Sequence, residues 1–214
     1  MKIAASLDGR TALDDGGSQW ITGEAARADG HAWRKRAGAV LTGIGTVQGD
    51  DPRLDVRLVP TVLQPLCVVV DSKLEIAASA RMLRPPGRAL IYTASSDAAR
   101  IAALASPQVE VARLPANAQG KTDLAAMLTD LARREINELH VEAGEKLNGS
   151  LLREGLVDEL LLYVAPRLLG PGRGIAAIGP LASLAESLDF EFVDVEQVGA
   201  DLRLRLRPPG RAVF

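Results

Sequence analysis

The sequence predicts a mixed α/β fold, with a mainly parallel sheet flanked by helices and a C-terminal antiparallel hairpin. Short apolar segments rich in β-branched residues alternate with helical segments over most of the chain. Towards the C-terminus, leucine and arginine alternate over residues 202–207, which is the period-two pattern of a strand with one buried face. No linker-like stretch or change in composition divides the 214 residues, so we expect one domain over 1–214.

The central elements follow from the apolar pattern. Predicted strands, bounded by Gly, Pro or Ser, cover residues 39–42, 66–71, 89–93 and 109–113. Thr122 is the expected N-cap of a helix, because apolar residues follow it at helical spacing: Leu124, Met127, Leu128 and Leu131. Residues 139–142 and 157–164 are predicted strands that flank a helix over 145–154. This arrangement predicts a right-handed βαβ unit with parallel strands.

The alternating C-terminal strand carries Arg203, Arg205 and Arg207 on one face. We expect this face to be solvated and the leucines to face the core. Acidic residues on the preceding segment are expected to pair with the arginines across a turn at residues 199–200. These acidic residues are Glu191, Asp194 and Glu196.

The composition argues against several classes of function. A formal net charge of −2 and an aromatic content of 3% argue against a nucleic-acid partner. Cys67 lies in an apolar run and is expected to be a small buried hydrophobe. His31 and His140 have no Cys or His partners at ligand spacing, so no metal is expected. With no signal peptide and no apolar run of the ~20 residues that span a bilayer, we expect a cytoplasmic protein without a membrane segment.

Glycine or polar residues follow three predicted strands, at the sheet edge where open α/β sheets bind ligands. Gly144 ends a strand and begins a helix, so the backbone there suits a pyrophosphate, although an ordinary strand-to-helix turn explains it equally well. The glycines of residues 42–52 permit close passage of a dinucleotide, but the third falls one residue late for the usual fingerprint. Ser72 and Lys73 suit the 2′-phosphate of NADP, and a polar strand end is the alternative.

Several motifs occur in the order of one protein family. They are Lys2-x-Ala4-x-Ser6-Leu7-Asp8-Gly9-Arg10, Ser18-Gln19-Trp20-Ile21-Thr22, Gly45-Thr46-Val47-x-x-Asp50-Asp51-Pro52-x-Leu54, Val70-Asp71-Ser72, Val141-Glu142-Ala143-Gly144, Gly155-Leu156-Val157-Asp158-Glu159 and Pro166-x-Leu168-Leu169-Gly170. Through them the chain resembles the reductase domain of the bacterial bifunctional riboflavin-biosynthesis deaminase–reductase, from its second residue almost to its end.

The resemblance implies a dihydrofolate-reductase-like fold and the use of NADPH. It implies reduction of the phosphorylated pyrimidine 5-amino-6-(5-phosphoribosylamino)uracil to its ribitylamino product. The family's deaminase half is missing from this sequence, so we do not expect deamination. By analogy with the family we expect a homodimer, with the exposed hairpin edge as a natural pairing surface.

Matched position by position, the resemblance assigns three sets of residues. The NADPH contacts are Ala4, Trp20, Thr46, Asp50, Ser72, Gly144, Glu145, Lys146, Leu147, Asn148, Gly149 and Ser150. The substrate contacts are Ser18, Arg34, Leu54, Arg57 and Glu142. The catalytic residues are Lys2, Asp50 and Glu142.

The expected chemistry agrees with these sets. Arg34 and Arg57 can bind a sugar phosphate in a bidentate manner. Hydride transfer needs an electrophilic C1′, so the ribosylamine ring must open to an imine or carbonyl-like form. Lys2 and Asp50, if adjacent, could orient the ribose hydroxyls and relay a proton, for which a water molecule is the alternative source. Glu142, at the end of a strand, is suited to accept hydrogen bonds from the uracil or ribosyl donors.

Two other functions compete with this one. A dihydrofolate-type or other pterin reductase of the same fold would need an acidic residue on the first helix, where Asp29 is the candidate. The low aromatic content and the paired arginines favour a sugar phosphate instead. A non-catalytic NADP(H)-binding module would bind the cofactor without turnover.

Overall fold

The computed structural model describes residues 1–84 and 86–211, and the chain folds as two compact units. The first unit comprises residues 1–30 and 142–211, and the second comprises residues 31–141 apart from position 85. The predicted domain range of 1–214 also includes Pro85 and residues 212–214, which lie outside the described residues.

The helices and strands alternate as the sequence predicts. The strands are β1 (Lys2–Ser6), β2 (Arg10–Leu13), β3 (Ala39–Gly43), β4 (Leu66–Val70), β5 (Ala89–Thr93), β6 (Val109–Arg113), β7 (Leu139–Val141), β8 (Leu160–Ala165), β9 (Gly172–Gly174), β10 (Glu191–Val198) and β11 (Asp201–Arg207). The α-helices are α1 (Glu24–Arg36), α2 (Ile44–Asp50), α3 (Ala98–Leu104), α4 (Leu124–Arg133) and α5 (Glu145–Arg153). Among the described residues, no helix has the length and apolarity needed to cross a membrane.

The second unit contains a five-stranded parallel sheet in the order β6-β5-β4-β3-β7. β4 and β5 are buried along nearly their whole length, which explains why the sequence is apolar without alternation there. Cys67 lies in this core as predicted, and burial raises the pKa of its thiol to about 11.

Two helices of the second unit, α4 and α2, differ from what the sequence predicted. The N-cap of α4 is Asp123 instead of Thr122, because the Asp123 carboxylate accepts the Ala126 N–H at 2.8 Å. The Thr122 hydroxyl is directed to Ser72. Residues 44–50, whose glycines were expected to permit close passage of a dinucleotide, form the short helix α2, which was not predicted.

The first unit contains a four-stranded sheet in the order β1-β8-β11-β10. The predicted C-terminal hairpin is confirmed, and Arg203 pairs across it with Asp194 and Glu196. The predicted βαβ unit is not formed, because β7 pairs with β3 whereas β8 pairs with β1 and β11. The N-terminal strand supplies the parallel partner of β8 that the sequence pattern assigned to β7.

The prediction of a solvated arginine face on β11 is wrong. The side chains of Arg203, Arg205 and Arg207 are only 13%, 26% and 10% exposed. Arg203 is ion-paired with Asp29, and both Arg205 and Arg207 are ion-paired with Glu159. These carboxylates hold the guanidinium groups on the inner face of β11, so the leucines lie on its outer face.

A small sheet of β2 and β9 completes the first unit and was not predicted. Asp8 lies in the turn after β1 and connects it to the chain that follows β8. Its carboxylate accepts hydrogen bonds from the Ser6 hydroxyl and from the N–H groups of Leu169 and Gly170. Two of the sequence motifs are therefore joined by one side chain.

Candidate functional site

In the first unit, β1 presents Lys2 and Ala4 on the face of the sheet that carries Tyr163 of β8. The Lys2 ammonium lies 5.6 Å from the centre of the Tyr163 ring, and the Tyr163 hydroxyl donates to Asp29 at 2.6 Å. Burial raises the pKa of Tyr163, and the negative charges of Asp29 and Glu142 raise it further. The two predicted catalytic residues of this unit, Lys2 and Glu142, thus both neighbour one buried phenol.

In the segment 144–150, Gly144 is the N-cap of α5 and the other residues belong to the helix. Glu145 and Asn148 hold the end of β9 and the residue after it: the Glu145 carboxylate accepts the Gly174 N–H at 3.0 Å, and the Asn148 amide donates to the Ile175 carbonyl at 2.9 Å. Gly144, the N-cap residue, is exposed and has no side-chain cap for the helix. An uncapped helix start with exposed backbone can bind an anionic group.

The loop between β2 and α1 carries two more predicted contacts, Ser18 and Trp20. The Trp20 side chain is 58% exposed, and the Arg27 guanidinium lies 4.7 Å from the centre of its ring. Ser18 is half-buried. Trp20 is therefore a surface side chain of this unit, and Arg27 lies over its ring.

In the second unit, α2 places Thr46 and Asp50 directly after β3. Thr46 is half-buried and Asp50 is exposed at the end of the helix. Asp51 and Leu54 follow with φ angles of 41° and 56°, a left-handed backbone that is uncommon for residues other than glycine. Such strained positions concentrate at functional loops.

The predicted phosphate-binding arginines lie together in the same unit. Arg34 donates to the Asp55 carbonyl at 2.9 Å, and Arg57 donates to the Asp55 carboxylate at 2.8 Å. Arg53 is ion-paired with the other carboxylate oxygen at 2.8 Å, and the Asp55 side chain is only 6% exposed. The side chain of Leu54, by contrast, packs in the hydrophobic core, so any contact of this residue with a ligand would be made by its backbone.

Ser72 follows β4 and is held by Thr122. Its Oγ accepts the Thr122 N–H at 2.9 Å and the Thr122 hydroxyl at 3.1 Å. With the Thr122 hydroxyl as the donor of this pair, the Ser72 hydroxyl can still donate one hydrogen bond to another acceptor. A phosphate oxygen is such an acceptor.

The structure thus groups the predicted residues within each unit. Lys2, Ala4 and Glu142 accompany Tyr163 in the first, and Arg34, Leu54 and Arg57 surround Asp55 in the second. Tyr163 and Asp55, at the centres of these groups, and Thr122, which holds Ser72, were not predicted as site residues. For Asp55 a signal existed, since arginines stand two residues before and two residues after it.

Comparisons with known proteins bear on this arrangement. A family model described as the RibD C-terminal domain matches residues 1–204. Riboflavin biosynthesis protein RibD of Escherichia coli K12 is 37% identical over 219 residues, covering 96% of this chain and 58% of that protein. The chain spans about half the length of the curated relatives that it matches.

Solved structures give the same result. The structure of RibD from Acinetobacter baumannii is 36% identical, with a TM-score of 0.84, and the match covers 97% of this chain and 56% of that one. A Thermotoga maritima structure, described as a diaminohydroxyphosphoribosylaminopyrimidine deaminase/5-amino-6-(5-phosphoribosylamino)uracil reductase, is 28% identical with a TM-score of 0.82. That match covers 97% of this chain and 55% of that one. These likenesses confirm the predicted dihydrofolate-reductase-like α/β fold.

Proposed function

This chain belongs to the RibD C-terminal domain family, and on that premise we propose that it is an NADPH-dependent reductase. Its proposed substrate is 5-amino-6-(5-phosphoribosylamino)uracil, whose ribosyl group it reduces to the ribityl group in riboflavin biosynthesis. The family match includes residues of both units, which supports a single reductase domain over 1–214.

The observation that carries this proposal is the arginine cluster around Asp55. Arg53 and Arg57 are ion-paired with the buried Asp55 carboxylate, and Arg34 donates to the Asp55 carbonyl, so three guanidinium groups gather at one residue. Arg57 uses one of its five N–H donors on Asp55. A guanidinium fixed in this way is suited to a sugar phosphate, because the cost of ordering its side chain has already been met.

Asp29, the acidic residue that a pterin reductase would require, has other partners. Its Oδ2 accepts hydrogen bonds from Tyr163 at 2.6 Å and from Arg203 at 3.1 Å. A carboxylate shared in this way is less suited to grip a pterin ring. The arginine cluster and the occupied Asp29 together favour the phosphorylated pyrimidine.

The residues fit NADPH as the nicotinamide cofactor. The uncapped start of α5 would bind the pyrophosphate together with residues 144–150, and the Ser72 hydroxyl would donate to the 2′-phosphate. Ala4, Trp20 and Thr46 would contact the remainder. When bound, NADPH supplies the hydride that reduces C1′ of the opened ribosyl group.

The chain's own part in the reaction is to bind, orient and move a proton. We assign to Lys2 and Asp50 the orientation of the ribose hydroxyls and the relay of the proton that must accompany the hydride. Glu142 would accept hydrogen bonds from uracil or ribosyl donors. Ser18 and the backbone of Leu54 would add contacts to the phosphorylated sugar.

We also propose that the protein is a homodimer, formed through the hairpin of β10 and β11. The register places Phe192, Val195 and Leu202 on one face, with exposures of 66%, 56% and 43%. β10 is the last strand of its sheet. An apolar face beside an edge strand is a typical self-association surface. The cytoplasm is the proposed location, where the single, buried Cys67 would stay reduced.

The test is an assay of NADPH oxidation with freshly deaminated pyrimidine substrate, compared with dihydrofolate. We expect turnover with the phosphorylated pyrimidine only. Oxidation with dihydrofolate alone would support the pterin reductase, and NADPH binding without oxidation would support the non-catalytic module.

A single variant tests the catalytic assignment of Asp50. Asp50→Asn should lower kcat by about 100-fold or more, the usual contribution of a positioned acid or base, while the Kd of NADPH changes little. Near-normal turnover in this variant would remove Asp50 from the mechanism.

A further inference from the structure

We propose that Tyr163, anchored by Asp29 and Arg203, is a positioning residue that holds the Lys2 side chain in place for the reduction. The inference rests on the proposed function, in which Lys2 acts on the substrate. It concerns residues of the first unit alone, and none of the sequence motifs contains Tyr163, Asp29 or Arg203.

The Lys2 side chain lies between a ring and a helix. Its ammonium is 5.6 Å from the centre of the Tyr163 ring, within the range of a cation–π interaction. Its Cε lies 3.7 Å from the point that a Cβ at Gly30 of α1 would occupy, which is ordinary contact distance. Ring and helix together therefore restrict a side chain that has four rotatable bonds.

The ring itself is fixed at its far end. Tyr163 is completely buried, and its hydroxyl donates to Asp29 Oδ2 at 2.6 Å. The same oxygen accepts a hydrogen bond from Arg203 at 3.1 Å, and Arg203 is also ion-paired with Asp194 at 3.2 Å. The phenol thus stands at the end of a chain of charged groups that joins β8, α1 and the hairpin.

The Tyr163 hydroxyl stays protonated near neutral pH, so its hydrogen bond to Asp29 is kept. Burial and the neighbouring carboxylates of Asp29 and Glu142 raise the pKa of Tyr163, so the hydroxyl stays a donor near neutral pH. A neutral phenol also leaves the ring face as the group that Lys2 meets.

Fixing Lys2 matters because a lysine side chain loses much of its conformational entropy when it is ordered. If the protein orders Lys2 before the substrate binds, this loss of entropy does not add to the activation free energy of the reaction. Tyr163 then affects turnover only through Lys2 and touches neither substrate nor cofactor.

A double-mutant cycle tests this dependence. Tyr163→Phe keeps the ring but removes its anchor, and we expect kcat to fall about tenfold while the Kd of NADPH stays the same. In the Lys2→Met background the same change should lower kcat by less than about twofold, because there is no ammonium left to position. Equal losses in both backgrounds would overturn the proposal.

The chain's other tyrosine supplies a matched control. Tyr92 is also completely buried, and its hydroxyl also donates to a carboxylate at 2.6 Å, that of Asp130. Tyr92→Phe should lower the Tm about as much as Tyr163→Phe but leave kcat unchanged. A loss of kcat in Tyr92→Phe equal to that in Tyr163→Phe would mean that both hydroxyls act through stability alone.

NMR spectroscopy tests the position of the Lys2 side chain independently of turnover. In the wild-type protein without ligand, the ring current of Tyr163 should move the Lys2 ε-CH₂ proton resonances upfield of those of the other four lysines, and Tyr163→Phe should reduce that displacement. Unshifted Lys2 resonances would refute the positioning role. A wild-type chain that does not oxidise NADPH with the substrate would refute the proposed function instead, and the NMR comparison would still decide whether Tyr163 holds Lys2.

Discussion

At the scale of single residues, the surroundings of Arg57 decide what its charge can do. Its backbone N–H donates to His31 Nδ1 at 3.2 Å and its guanidinium to Asp55 at 2.8 Å. Both bonds hold the residue beside Arg34, although the two arginines stand far apart in sequence. From the sequence alone each is an ordinary surface arginine, and only the family resemblance singled them out.

Arg57→Lys should raise the KM for the phosphorylated substrate about 10- to 100-fold, because an ammonium cannot make the bidentate hydrogen bonds of a guanidinium. The matched control is Arg53→Lys, since Arg53 is ion-paired with the same carboxylate at 2.8 Å but is not among the predicted substrate contacts. Steady-state kinetics should show little change in the control. Equal increases in KM would locate the phosphate elsewhere.

Asp8 predicts a pH dependence of stability. The Ser6 hydroxyl and the Leu169 N–H lower its pKa from 3.8 to about 2. Because the folded-state pKa is depressed, the stabilisation is fully present above 3.8 and is lost as the pH falls through about 2. Acid unfolding followed by circular dichroism should show a shallower loss of stability below pH 3.8 in Asp8→Asn than in the wild type. An equally shallow curve for Asp14→Asn, in the next loop, would contradict this assignment.

At the scale of elements, close packing requires a glycine in the middle of α5. A Cβ at Gly149 would overlap the backbone of Ala177, so only glycine lets that segment pass the helix. The family resemblance assigns this glycine to the NADPH contacts. The structure gives it a packing role, which no short sequence pattern could indicate because Ala177 is distant in the chain.

Gly149→Ala should lower the free energy of unfolding by about 1–3 kcal/mol, the usual cost of overpacking. Gly49→Ala is the control, because a Cβ at Gly49 in α2 meets nothing within 4 Å. There alanine should stabilise the helix by up to about 1 kcal/mol. Urea denaturation measures both, and an unchanged free energy in Gly149→Ala would contradict the packing.

The C-terminal hairpin shows what the periodicity of a sequence can predict and what it cannot. The alternation over residues 202–207 predicted the strand correctly, and the two leucine and arginine faces are real. The choice between the faces depended on carboxylates supplied by other elements, Asp29 and Glu159. Burial alone would raise the pKa of Glu159, but hydrogen bonds and charge from Arg205 and Arg207 outweigh it and lower the pKa. Such long-range pairing is invisible in a local pattern.

At the scale of the whole molecule, the centre of the parallel sheet could be predicted because β3, β4 and β5 are nearly continuous apolar runs. The strands at residues 89–93 and 109–113 have the predicted bounds. The parallel partner of β8 could not be predicted, because β1 lies far from β8 in the sequence. No local pattern distinguishes β1 from nearer strands as the partner. The sequence therefore predicts the individual strands better than it predicts which strands pair.

The proposed homodimer makes a prediction at the same scale. Phe192→Asp should place a charge on the apolar face of the hairpin and shift the protein from dimer to monomer in sedimentation velocity. Leu184→Asp, at a side chain that is 92% exposed but outside the hairpin, should leave the dimer intact. A wild-type chain that sediments as a monomer of 22.6 kDa would contradict the proposal.

The central claim is that a hydride passes from the nicotinamide cofactor to the ribosyl C1′ of a phosphorylated pyrimidine. The most direct measurement uses NADPH deuterated at both C4 positions and mass spectrometry of the product. We expect one deuterium on C1′ of the ribityl chain for each NADPH consumed. A ribityl product without deuterium, or no consumption of NADPH with this substrate, would contradict it.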